Sequence, residues 1–276
     1  MPHVKMFGPF ALAATLAASP TWANTMLSLS SDIPGAVYSI DLATGAATEV
    51  VKLEEGFSTL FGDITLMDGV VYVSNVFFKQ HPLFGSINLA TGHFTPISAQ
   101  RGHFWDGLVA IPDKHEFIAL DSDTISHTLV SIQLDGTITD LAFASPFAVD
   151  LAYDQIHHVL WEDAGNALLS GDANSGTPTF VGLFGGGIVA IPSGLGFDNA
   201  TGKLYLNDNS GQLYVVDTST ATATAIGPNN VGKVVIDGLA DTAAPVPLPA
   251  GLPLLGLGLL GLTVADSRKK IERPIK

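Results

Sequence analysis

Four aspartates recur along this chain at nearly constant spacing: Asp63, Asp106, Asp150 and Asp237, with Ser193 in the slot between the last two. Neighbours in this series lie 43 or 44 residues apart. If the repeats that carry them close into a ring, one oxygen-bearing side chain per repeat converges on a common mouth. Four carboxylates held together there repel one another unless a cation sits among them or a proton is shared. Oxygen donors without His or Cys favour Ca²⁺ or Mg²⁺ over a transition metal, so Ca²⁺ is the one cofactor the pattern suggests. Two other chemistries are open to the same residues. Each Asp can cap a local turn or bond the neighbouring repeat's backbone. Alternatively, a pair of them at a suitable separation can act as acid and base in a glycan hydrolase or lyase.

Aromatic residues accompany these acids. Phe61, Trp105 and Phe147 lie just upstream of three of the aspartates, and Phe77, Phe78 and His81 fall in a loop expected on the same face. Trp105, Phe77 and Phe147 are therefore candidates for stacking on sugar rings, with wedging between repeats as core the competing use of the same residues. Further acids, Asp32, Asp121, Asp123, Glu162, Asp163 and Asp208, are placed in loops of that face. Other catalytic patterns fail on inspection. Ser193 has Ile191 two places before it where a nucleophile elbow needs Gly. His157-His158 reads as part of a strand, which would turn the two rings to opposite faces. Gly185-Gly186-Gly187 is followed by no helix and so is no phosphate loop. No catalytic residue is assigned, and a non-enzymatic protein is the expectation.

The elements that must position these residues are visible as repeats. "VYSIDLATGAATEV" from Val37 returns as "FGSINLATGHFTPI" from Phe84, as "LVSIQLDGTITDLA" from Leu129, as "LLSGDANSGTPTFV" from Leu168 and as "LYVVDTSTATATAI" from Leu213. Gly45, Gly92, Gly136 and Gly176, with Ala221 in the equivalent slot, mark the shared turn. Before each full copy stands an apolar strand, a polar turn and an alternating strand, as in "SGLGFDNATGKLYLND". Four short strands per unit, repeated about every 44 residues with no sustained helical period, predict a β-propeller. The segment from Val234 to Asp241 is an innermost strand without successors, and Met26 to Val50 supplies three strands without an innermost one. Pairing the two completes one blade from both ends of the domain and removes free strand edges. The fold class expected is all-β: a five-bladed β-propeller closed by its N- and C-terminal strands.

Charge bounds the partners. The chain has 276 residues, a formal net charge of -14 and no cysteine, so no disulfide supports the domain. Between Asn24 and Pro245 acids outnumber bases 24 to six, and a surface this acidic repels phosphate backbones. Nucleic acid is excluded as a partner; cations, neutral polymers and proteins are not. The ends differ from the body. Residues 1–23 combine a short polar start, an apolar stretch and Thr21-Trp22-Ala23, the pattern of a cleavable signal peptide. At the other end, Gly251 to Ala265 is uncharged and is followed by Arg268, Lys269 and Lys270, which are expected to stay cytoplasmic. The domain reading is thus signal peptide 1–23, propeller 24–242 and a tail 243–276 with a single hydrophobic helix and a basic end.

Val246-Pro247-Leu248-Pro249-Ala250, an apolar helix and then Arg268-Lys269-Lys270 together resemble the VPLPA variant of the PEP-CTERM sorting signal of Gram-negative bacteria. Asp266 and Ser267 interrupt the step from helix to basic cluster, a departure from the pattern. The resemblance implies processing by an exosortase-type membrane enzyme, a transient stay in the inner membrane, and delivery to the cell envelope, cell surface or extracellular matrix. It also implies a setting of exopolysaccharide and biofilm assembly, with exopolysaccharide or a surface protein as partner. The repeat body is similar to the propeller repeats of bacterial surface proteins.

Overall fold

Strands in the computed structural model fall into five sheets arranged as the blades of a propeller. The structure describes residues 24–242 apart from 32–33, 60–61, 79–80, 98–103, 123–126, 146, 174–177, 187, 189–190 and 233–234. The signal peptide, the VPLPA motif and the hydrophobic tail lie outside the described residues.

The first blade takes β1 (Thr25–Ser30), β2 (Ala36–Asp41) and β3 (Ala47–Lys52) from the start of the domain. The second contains β4 (Ser58–Thr59), β5 (Ile64–Met67), β6 (Val70–Phe78), β7 (His81–Ile87) and β8 (Phe94–Pro96). The third runs through β9 (Trp105–Ile111), β10 (Glu116–Asp121), β11 (Thr128–Gln133) and β12 (Ile138–Phe143). In the fourth are β13 (Asp150–Asp154), β14 (Val159–Asp163), β15 (Ala167–Asp172) and β16 (Thr179–Leu183). The fifth holds β17 (Pro192–Asp198), β18 (Lys203–Asp208), β19 (Gln212–Val216) and β20 (Ala223–Pro228). Last comes β21 (Ile236–Asp241), which returns to the first blade and gives it the order β21-β1-β2-β3. There it pairs antiparallel with β1, Leu27 opposite Ala240 and Leu29 opposite Asp237. The closure expected from the sequence is the one observed.

Burial falls from the axis outward, and the sequence follows it. Every residue of β13 is buried, whereas outermost β3 and β16 carry mostly exposed or half-buried positions. An innermost strand is covered on both faces by its neighbouring blades, so it reads as a short run of small and apolar residues. The apolar core accordingly divides into five clusters, one at each blade interface. Leu29 and Val73 belong to the cluster between the first and second blades. Phe84, Trp105 and Phe117 share the next, with Phe84 edge-on to Trp105 at 5.4 Å between ring centroids. Leu120 and Leu160 meet between the third and fourth blades, Leu168 and Leu195 between the fourth and fifth, and Tyr205 and Met26 at the closing interface.

The shared turn has a shared mechanism. The Asp41 carboxylate accepts from the N–H groups of Ala43 and Thr44, and Asp217 does the same for Ser219 and Thr220. Gly45, Gly92, Gly136 and Ala221 all have positive φ, as the repeat alignment requires; Gly176 falls outside the described residues. The second blade departs from the pattern. Its innermost strand is broken into β4 and β5, both paired to the nine-residue β6, where a bulge at Ser74-Asn75 puts Asn75 at φ 50. His157 and His158 are also placed differently from the sequence expectation. They lie in the turn between β13 and β14, where His157 Nδ1 meets Asp154 Oδ2 at 2.7 Å and His158 Nδ1 meets the Tyr153 hydroxyl at 2.9 Å. The Asp-x-x-x turn, and not strand alternation, sets where those rings point.

Gly92 shows how tightly blades seat on one another. Its φ is 73, and a Cβ there would lie 1.9 Å from the carbonyl oxygen of Lys52 in the preceding blade. Gly92→Ala is expected to cost about 2–4 kcal/mol, from the left-handed backbone and the forced separation of the blades. Urea denaturation of the variant against the parent measures it.

Candidate functional site

The innermost strands all begin at one end of the channel, and the five expected ring residues sit at those beginnings. The structure divides them into two layers. Asp63 and Asp150 are 2 % exposed, below the mouth; Asp106, Ser193 and Asp237 line the cavity above.

In the lower layer the backbone holds both carboxyls. Asp63 Oδ1 accepts from the Ile64 N–H at 2.7 Å, and Oδ2 accepts from the Leu108 N–H of the third blade. Asp150 repeats this one blade pair later: Oδ1 accepts from Leu151 N–H at 2.6 Å and Oδ2 from Leu195 N–H at 2.5 Å in the fifth blade. The same relation recurs deeper in the channel, where Thr65 Oγ1 accepts from the Ala110 N–H at 3.0 Å. Asp63 and Asp150 also hydrogen-bond each other, although their blades are not adjacent. Burial pushes Asp63 up to about 7, opposed by these hydrogen bonds. Burial likewise raises Asp150 well above the carboxylate range, and the charge of Asp63 adds to it. The pair therefore holds a proton between its two carboxyls near neutral pH. The backbone-bonding use of the repeated Asp is realised for these two. Gly238, at φ 64, is required here because a Cβ on it would lie 2.0 Å from Asp63 Oδ1.

Above the pair is a cavity of about 410 Å³. All five blades contribute to its wall. Phe104, Val149, Ile191 and Pro192 supply apolar surface, and Asp106, Asp237, Ser193 and Asn209 supply polar groups. Asp237 accepts a hydrogen bond from the Ser31 hydroxyl at Oδ2. Its burial raises it to about 6, with the charge of Asp106 acting in the same direction. Ser193 donates to the Ile236 carbonyl at 3.1 Å, tying the fifth blade to the first. Among the described residues no three His, Cys, Asp or Glu side chains form a group able to hold a metal ion. Of the uses the sequence left open to the four acids, bonding to backbone N–H groups is the one that Asp63 and Asp150 take.

The aromatic candidates separate as well. Phe147 is 72 % exposed on the mouth side, as a stacking surface requires. Phe77 is half-buried and packs against Phe104, ring centroids 6.1 Å apart. Trp105 is 1 % exposed and belongs to the core between the second and third blades, so it is withdrawn as a stacking residue. Phe104, the residue just before β9 begins, takes that place on the cavity wall. The sequence also missed Val149 and Pro192, each immediately before a ring residue, and Ser31. The signal was present: the positions one or two before the ring residue form the wall in blade after blade.

Glu162, Asp163 and Asp208, expected in loops, end strands β14 and β18 and are fully buried. Asp208 is well served, accepting from Ser210, Gln212 and the Tyr214 hydroxyl. Among the described residues, the Glu162 carboxylate accepts only from Ser145 N–H and that of Asp163 only from Gly165 N–H, leaving Glu162 Oε1 and Asp163 Oδ2 without partners there. Burial pushes both up to about 7. Asp121 is half-buried at the end of β10, and Asp32, Asp123 and Phe61 fall outside the described residues, as do the side chains of Phe78 and His81.

No protein-family model and no curated protein matches the chain. Solved structures do. A chain of the nidogen–laminin complex aligns at 14% identity and a TM-score of 0.53, over 78% of this chain and 97% of that one. TolB from Acinetobacter baumannii aligns at 17% identity and a TM-score of 0.50, over 79% of this chain and 54% of its own, about half its length. A gluconolactonase from Xanthomonas campestris aligns at 11% identity and a TM-score of 0.49, over 79% of this chain and 80% of its own. At such identities the likeness shows the β-propeller fold and leaves activity open.

The buried acids set an unusual pH dependence. Asp63, Glu162 and Asp163 at about 7, and Asp237 at about 6, bind protons in the folded state at pH values where the unfolded chain has released them. Their contribution to stability is full below about pH 4, the unfolded carboxylate range, and is lost as pH rises through 6 to 7. The melting temperature is expected to be higher at pH 5 than at pH 8. Glu162→Gln should raise it at pH 8 and leave it little changed at pH 5; calorimetry at both values checks the pattern.

Proposed function

We propose that this chain is an exported, non-enzymatic β-propeller that acts as a binding or scaffold protein in the cell envelope or extracellular matrix. Its ligand is an exopolysaccharide of the biofilm matrix, held at the channel mouth. The observation that carries the binding reading is the cavity of about 410 Å³, within the size range of small-molecule pockets, with an apolar wall and a few converging polar groups. Sugar rings present apolar C–H faces and a fringe of hydroxyls, which match Phe104 and Phe147 on one hand and Asp106, Ser193, Asn209 and Asp237 on the other. The export reading rests on the sequence: the signal-like residues 1–23 and the VPLPA tail, which make an exosortase-type enzyme the processing partner.

One observation favours a surface glycan hydrolase or lyase instead. Asp237 is raised to about 6 by burial and by the charge of Asp106, in the direction a general acid in such catalysis needs. Against it, Asp63 and Asp150 are held by backbone N–H groups beneath the cavity and cannot reach a bound sugar.

A glycan array probed with the full-length protein tests both. Binding of matrix-type oligosaccharides is expected, and Ser193→Trp, which fills the mouth, should reduce it at least about tenfold. The bound glycans should be recovered at their original length. Shortened products would favour the hydrolase, and absence of any glycan binding would contradict the proposal.

A further inference from the structure

The cavity at the mouth has a wall on every side and no passage beneath it. Gly62, Phe104, Val149 and Val235 stand just ahead of the innermost strands β5, β9, β13 and β21, and Pro192 begins β17, so each blade supplies part of the wall. One level down, the innermost strands close on one another around the whole axis. Asp63 reaches the Leu108 N–H of the third blade, and Asp150 reaches the Leu195 N–H of the fifth. A Cβ on Gly107 would lie 2.9 Å from Leu151 Cγ, and one on Gly194 would lie 2.9 Å from the backbone nitrogen of Gly238. Gly238 in turn sits against Asp63, with no room for a Cβ between them. The contacts thus run through all five blades, and the hydrogen bond between Asp63 and Asp150 crosses them as a chord. Below that level the next space along the axis, lined by Thr65, Tyr153 and Asn199, is about 40 Å³, too little for a sugar ring.

A polysaccharide meets such a blind pit in one of two ways. Lying across the mouth, each of its residues is linked on both sides, and no ring can drop below the rim. Arriving end-on, the chain seats a terminal residue inside, with a hydroxyl where the next linkage would be. A cavity of about 410 Å³ is at the small end of ligand-pocket sizes and takes about one or two sugar residues, not a longer run of chain. The rim suits the residue that follows. Phe147 and Ile191, 72 % and 65 % exposed, offer apolar surface on the mouth side, where a chain leaving the pit can lay a sugar face.

We propose that the mouth reads glycan ends: it takes the terminus of a chain or branch into the blind pit and touches the rest of the polymer only at the rim. The proposal rests on the glycan-binding reading above and adds which part of the polymer is recognised. A protein that binds this way caps matrix chains one terminus at a time and does not coat them along their length.

Linear and cyclic glucans of equal length separate the two modes, because a ring offers the same residues and linkages with no terminus. They are neutral, so the acidic body does not repel them. Isothermal titration of the full-length protein with the α-1,4-linked and α-1,6-linked glucose heptamers, each in linear and cyclic form, is expected to show a linear member binding at least about tenfold tighter than its ring. Longer linear chains should still hold one protein each. Phe147→Ala, at an exposed position, should weaken the linear heptamer about threefold and leave the disaccharide of the same linkage unchanged. Equal affinity for linear and cyclic forms, or a stoichiometry that rises with chain length, would overturn end recognition and leave the glycan reading standing. A linear preference that survives Ser193→Trp would overturn the assignment to this pit. Binding of none of the four heptamers, together with a blank glycan array, would overturn both readings.

Discussion

The antiparallel pairing of β21 with β1 is the constraint on which the rest of the molecule depends. Without it the first blade has no innermost strand, the channel lacks one side, and Asp237 has no place opposite Asp106. Closure also gives β1 a partner on each side and allows the fifth and first blades to pack through Tyr205, Met26 and Ile236. A repeat spacing of 43 to 44 residues thereby becomes an angular spacing around an axis, and residues far apart in sequence become neighbours.

Once the ring is closed, the repeated carboxylates pose an electrostatic problem with two solutions. Below the mouth, Asp63 and Asp150 satisfy their oxygens with backbone N–H groups of their own and the next blade and hold a proton between them. That makes the lower pair a structural tie across the channel. Above it, Asp106 and Asp237 stay on the cavity wall, one half-exposed and one buried, where a ligand can reach them. The tie lies beneath the cavity, and the upper pair stands on its wall. Glu162 and Asp163 extend the same physics into the fourth blade, with buried acids that favour the protonated form.

Much of this was legible in the residues. The blade number, the closing strand pair and the positive-φ turns follow from repeats such as "VYSIDLATG" and "FGSINLATG", because each copy must satisfy the same local geometry. The division of the aspartates was not legible. Register places all four at one level, but whether a carboxyl bonds the next blade or faces the cavity depends on which N–H the neighbouring strand presents. Trp105 and Phe104 differ by one position, and the start of β9 exchanges cavity wall for core at that single step. Glu162-Asp163 read as a polar loop because charged residues seldom end a buried strand, and here both do. His157 and His158 were misplaced because the Asp154 turn interrupts the alternation sooner than the sequence pattern suggests.

Closure can be tested directly because the chain contains no cysteine of its own. Leu27 and Ala240 are directly opposed across β1 and β21, within the Cα separation that a disulfide spans. In a Leu27→Cys/Ala240→Cys variant oxidised under native conditions, peptide mapping should recover the two ends of the domain covalently joined, with a raised melting temperature. Two free thiols after oxidation of the folded protein would contradict the closed ring, and with it the mouth that Asp106 and Asp237 share.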